Sequence, residues 1–195
     1  MNSNKNRAVL FIGLLLLVAT SLISLGIGAL SLPIKEVIYA LLGSISDNIT
    51  TQTQSVVINV RLPRILTALI CGAGLAAAGA SLQALFSNPL ATADTLGVST
   101  GAAFGAVLGI LLGLDAFGVQ TLSLGVGLVA VFGVWRLSLR QGRSSILLLI
   151  LSGLVVAALF SSLISLVKFA ADPQDELPAV TFWLMGSLTG ADWKS

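Results

Sequence analysis

Five stretches of this chain carry no Asp, Glu, Lys or Arg: Ala8 to Ile34, Ile65 to Ala93, Thr95 to Leu114, Ala116 to Trp135 and Ser144 to Val167. A helix needs about 20 apolar residues to cross the hydrocarbon of a bilayer, and each stretch supplies them. Only 9% of the residues are charged, 56% are hydrophobic and the mean hydropathy is +1.02, so a water-soluble domain could not cover itself with polar surface. Backbone groups in lipid must bond within their own element, and no stretch alternates apolar and polar residues as a barrel strand does. The expected fold is therefore all-α, a polytopic transmembrane bundle. About five spans are placed near 8–31, 62–86, 95–114, 117–136 and 145–168. Short interfacial helices are expected near 33–42 and 178–188, the second run being cut by Pro178 and Gly186.

Several classes are excluded on the same footing. The first apolar run follows Lys5 and Arg7 as a signal sequence would, but it is longer than an h-region of about 7 to 15 residues. Cys71 is the single cysteine and forms no disulfide within the chain. A net charge of +2 without a basic block argues against nucleic-acid binding. No cofactor and no metal site is expected. Gly97-Val98-Ser99-Thr100-Gly101 fits a hydrolase G-x-S-x-G pattern and Ser165-Leu166-Val167-Lys168 fits S-x-x-K, yet the chain has no histidine to pair with a serine. No G-x-x-x-x-G-K-[ST] string is present, so ATP hydrolysis by this polypeptide is not expected.

The longest polar segment runs from Ser31 to Asn59. Pro33 to Leu42 has the spacing of a short helix on the membrane, and Gly43 to Ser55 reads as loop. Basic residues do not fix the orientation, because Lys5, Arg7, Arg136, Arg140 and Arg143 on one side balance Lys35, Arg61, Arg64, Lys168 and Lys194 on the other. The tight Arg136/Arg140/Arg143 cluster favours a cytoplasmic loop and with it a cytoplasmic N-terminus.

Two small-residue ladders stand out. Gly97, Gly101, Gly105, Gly109 and Gly113 recur every fourth residue, as do Ala68, Gly72, Ala76, Ala80 and Ala84. Such faces let helices approach closely where lipid gives no drive for association. Each four-residue step drifts about 40°, so a ladder winds round its helix toward more than one neighbour. Arg61 and Arg64 flank Pro63, which is expected in the first turn of the second span. The plain reading of both arginines is snorkelling to headgroups. Asn88-Pro89 ends that span, and Gln83 before it can bond a neighbouring helix. Ser161, Ser162 and Ser165 on the fifth span are expected to bond back to their own helix. No charged residue lies deep in a span, which argues against ion- or proton-coupled transport.

Arg61-Leu62-Pro63-Arg64, Gly79 with Gln83, Asn88-Pro89-Leu90-Ala91, and Leu96-Gly97-Val98-Ser99 with Gly101 follow one another in order. Together with Trp183-Leu184-Met185-Gly186-Ser187 and Trp193, they resemble the FecCD permeases of ABC importers, which carry iron-siderophore complexes, haem or vitamin B12. The resemblance implies an N-terminal part of a bacterial inner-membrane permease, most simply for an iron-siderophore. It implies a second permease subunit, cytoplasmic ATP-binding subunits that supply the energy, and an extracytoplasmic solute-binding protein. Arg61 and Arg64 would dock glutamates of that binding protein, and the fifth helix, with Ser161, Ser162 and Ser165, would line the translocation path. Pro63, Gly79, Gln83, Asn88, Pro89, Gly97, Gly101 and Gly105 carry over as structural positions. Such permeases have roughly ten helices, more than this length supplies at about 20 residues each. The later segment that engages the ATPase is expected to be missing. A truncated remnant or membrane scaffold without transport fits the ladders equally well.

Overall fold

The structure is a computed structural model, and it describes residues 3–28, 30–42, 51–89, 92–140, 143–144 and 146–193. In chain order it comprises α1 (Ser3–Gly26), α2 (Ile34–Leu42), α3 (Thr51–Ser55), a π turn (Val56–Arg61), α4 (Leu62–Phe86), a 3-10 turn (Ala93–Leu96), α5 (Val98–Leu111), α6 (Ala116–Ser138), α7 (Ile146–Ala170) and α8 (Glu176–Met185). The described β structure is one antiparallel pairing of β1 (Leu139–Arg140) with β2 (Arg143–Ser144), beside the basic cluster. The fold is an all-α transmembrane bundle. Four described helical runs are long and apolar enough to cross a membrane, and α5 is a shorter apolar helix.

Three expected boundaries move, each for a local reason. Helix already begins at Thr51, inside the stretch read as loop, and runs on to Phe86; residues 43–50 lie outside the described residues. Pro63 is thus inside a helical run rather than in its first turn. It lacks an N–H and its ring crowds the carbonyl one turn back, and the preceding residues widen to π geometry, with Leu62 N–H donating to Val57 O. The span expected over 95–114 keeps only 14 helical residues. Gly97, at φ +66°, breaks it from the 3-10 turn. At the other end Gly113, at φ +65°, closes α5, with Gly113 N–H on Ile110 O and Leu114 N–H on Gly109 O. Gly113 is therefore a helix stop and not a packing rung, and the space beside it is open. α8 starts at Glu176, ahead of Pro178, after a turn in which Asp172 Oδ1 accepts from Gln174 N–H and Asp175 N–H.

The chain forms two compact units, residues 1–73 with 188–195 and residues 74–187. In the first, Leu25, Val37, Ala40 and Val57 form a buried cluster flanked by Leu32 and Ile65. In the second, α5 packs on α6 and α7 around Ala130, Val134 and Val156, and the Phe104 and Phe160 rings meet at 5.6 Å. Asp115 caps α6 by accepting from Gly118 N–H at 2.9 Å.

Candidate functional site

In the first unit, the end of α1 and the start of α4 enclose a cavity of about 360 Å³ lined by Ser24, Ile27, Gly28, Leu30, Arg61 and Arg64, among others. The π turn and α4 carry both arginines into it, three residues apart and so on neighbouring helix faces. Arg61 Nη1 donates to Leu25 O at 2.5 Å, and Arg61 Nη2 donates to Leu30 O. Leu25 lies in the last turn of α1, whose carbonyls have no helical partner and where the helix dipole favours a cation. Arg64 Nη2 donates to Thr189 O at 2.7 Å, while Arg64 Nε is buried without a partner. Trp193 Nε1 donates to Ile58 O at 3.0 Å, so the segment after α8 is tied to the same unit at two points. The bonds of both guanidinia go to neutral carbonyls.

Sequence reasoning named the two arginines but not their partners. Gly28 was missed: a Cβ there would stand 2.8 Å from Arg61 Nη2, so the guanidinium lies directly against the glycine backbone. A lone glycine in an apolar run gives no sign of this. Pro63 between the arginines is buried.

The remaining motif residues lie elsewhere. Gly79 is half-buried on α4, and Gln83 is exposed there, as is Pro89 beyond its end. Asn88 is half-buried and closes α4 through its N–H on Gln83 O at 3.1 Å. In the second unit Gly97, Gly101 and Gly105 are all buried. A Cβ on Gly97 would meet Ala157 N and Gly153 O of α7 at 3.0 Å; one on Gly101 would meet Ala130 Cβ of α6 at 2.6 Å; one on Gly105 would meet Leu122 O of α6 at 2.6 Å. The ladder thus turns from α7 to α6 along α5. Ser161, Ser162 and Ser165 are exposed on α7, with Ser162 Oγ donating to Ala158 O at 2.8 Å and Ser165 Oγ to Ser161 O at 2.9 Å. Among the described residues no group of His, Cys, Asp and Glu could hold a metal ion.

Residues 15–195 match the FecCD transport family. The molybdate import system permease protein MolB of Haemophilus influenzae is 41% identical over the whole of this chain, which spans 58% of that protein. The iron(3+)-hydroxamate import system permease protein FhuG of Bacillus subtilis is 32% identical over 98% of the chain, again with 58% of the relative covered. The cobalamin import system permease protein BtuC of Halobacterium salinarum is 35% identical over 85% of the chain and 44% of its own length. Among solved structures, an ABC transporter assigned to the metal-chelate type, in an inward-facing conformation, superposes with a TM-score of 0.80 at 41% identity, over 96% of this chain and 56% of the other. The chain therefore spans about half the length of these proteins. Apolar helices, ordered motifs and a match through nearly every residue lead to one conclusion: this chain belongs to the FecCD transport family.

Proposed function

We propose that the chain is part of the membrane-spanning permease subunit of a binding-protein-dependent ABC importer in a bacterial cytoplasmic membrane, with its N-terminus in the cytoplasm. A solute-binding protein docks on the outer face at the arginine cavity. Cytoplasmic ATP-binding subunits then drive two permease subunits between outward and inward arrangements. Work is done by ATP on those partners, so this chain is not itself an enzyme. The exposed serine edge of α7, at Ser161, Ser162 and Ser165, faces the path. The hydroxyls of Ser162 and Ser165 are already satisfied by the helix, which suits a surface that cargo slides past without being held.

The cargo reading rests on the 41% identity to a molybdate permease across the full chain, against 32% to an iron-hydroxamate permease. On that margin an oxyanion such as molybdate is the first substrate class, and the iron-siderophore expected from the family resemblance is the second. The test is uptake of radiolabelled molybdate and of a radiolabelled ferric hydroxamate by cells with and without the gene. Molybdate uptake that needs the gene supports the first class, and hydroxamate uptake alone replaces it with the second. If neither of these labels nor radiolabelled cobalamin moves while the protein inserts normally, the scaffold reading takes over.

A further inference from the structure

We propose that the second unit holds one anionic phospholipid, with an acyl chain in an apolar groove where α4 and α6 stop and α7 begins, and its phosphate on Arg136, Arg140 and Arg143. The groove has a volume of about 230 Å³ and is lined by Leu85 and Phe86 of α4, Leu96, Val131 and Trp135 of α6, and Leu149 of α7, among others. Apart from the Trp135 indole N–H, the lining side chains are hydrocarbon. Trp135 is 48% exposed, and its ring lies 5.6 Å from that of Phe132, which is exposed as well. Aromatic rings laid open at the end of a spanning helix suit the headgroup level of a bilayer. Arg136 follows directly, exposed in the last turn of α6. The β1–β2 pairing then joins α6 to α7, which both line the groove, and its register makes Arg140 and Arg143 cross-strand partners. Like charges directly opposite one another are unfavourable, and a shared phosphate relieves the repulsion. From Ala116 to Ala171 the chain has no Asp or Glu, and between Gly74 and Leu114 its one carboxylate is Asp94, exposed on the 3-10 turn that supplies Leu96. Three arginines against that carboxylate leave this end basic, the complement of an anionic headgroup. A helix, about 10–12 Å across with its side chains, does not enter a space of this volume, whereas a flexible hydrocarbon chain does. An acyl chain and a phosphate on one molecule meet the groove and the arginines at once, which neither free phosphate nor a lipid without net charge does.

Trp135 reads the groove from its wall. The full-length protein with its associated subunits is placed in phosphatidylcholine vesicles that carry a small fraction of dibrominated phosphatidylglycerol or, in a parallel set, the same fraction of dibrominated phosphatidylcholine. Bromine on an acyl chain quenches indole fluorescence on contact, and subtraction of a Trp135→Phe variant isolates the Trp135 signal. Phosphatidylglycerol is expected to occupy the groove about tenfold more readily than phosphatidylcholine, an effect of the size that one or two interfacial arginines supply. Arg136→Gln, Arg140→Gln and Arg143→Gln together should abolish the preference, and lysine at the same three positions should keep most of it. Val131→Phe, which fills the groove, should weaken quenching by both lipids. Raising the salt from about 0.1 M to about 1 M shortens the screening length from about 10 Å to about 3 Å. It should reduce the preference in the unsubstituted protein, so the charge is tested even where the triple variant fails to insert. Equal quenching by the two brominated lipids would reduce the groove to ordinary boundary lipid and overturn the proposal. Absence of quenching by either would overturn it too, since the groove is then covered by protein, whether a later segment of the permease or an associated subunit. A preference that survives loss of all three arginines would take the phosphate away from them and overturn the assignment.

Discussion

Ser87 adopts φ +48°, a left-handed conformation that costs a side-chain-bearing residue about 1–2 kcal/mol. It does so to stop α4: Ser87 N–H bonds Ala84 O, Asn88 N–H bonds Gln83 O, and Pro89 follows. Glycine at that position relieves the strain and gives back part of the gain in unfolded-state entropy, so Ser87→Gly should raise stability by up to about 1 kcal/mol. Thermal unfolding in detergent would show it as a higher Tm, and a lower Tm would mean the hydroxyl is needed. The sequence made the end of this span visible through Asn88-Pro89, because a missing donor is a property of the residue itself. It did not reveal that Ser87 carries the left-handed turn, since serine has no intrinsic preference for it. The same asymmetry holds at the arginines: charge and spacing were legible, but the carbonyls they bind lie dozens of residues away, at Leu25, Leu30 and Thr189.

Helices α4 and α5 carry ladders of similar spacing with opposite fates. Gly105 on α5 is held against the α6 backbone, whereas Gly72 and Gly79 on α4 have no other heavy atom within 4 Å of a Cβ position. Gly105→Ala should therefore destabilise by about 1–3 kcal/mol through overpacking. Gly72→Ala should be neutral or stabilising by up to about 1 kcal/mol, because it gains helix propensity and meets nothing. Chemical or thermal unfolding of the two variants checks the difference in sign. Periodicity showed that both helices could pack closely, but a ladder does not name its partner. The length of α5 was also hidden. Apolar composition continues smoothly through Gly97 and Gly113, so only the positive φ angles mark where the helix stops.

At the scale of the whole molecule, the arginine cavity is where the proposed docking and the fold draw on the same two side chains. Arg64→Glu puts a negative charge where the docking reading needs a positive one, and uptake by normally inserted protein should fall about tenfold or more. Unchanged uptake would remove Arg64 from the docking face. The membrane class and the order of motifs were written plainly in the chain, because lipid imposes length and composition on every span. Cargo was not: among the described residues no cluster of His, Cys, Asp and Glu could hold a metal, and Ser162 and Ser165 on α7 spend their hydroxyls on their own helix. The shortness of α5 reaches into how the protein is made. Its 14 residues rise only about 21 Å, less than the roughly 30 Å of hydrocarbon. A segment of that length emerging from the ribosome is poorly held by lipid alone. α6 follows within a tight turn and closes on its glycine face, so the two helices meet the bilayer as one hairpin rather than as two separate spans. A bulky residue at Gly105 would then cost the short helix the partner that keeps it in the bilayer, as well as its packing.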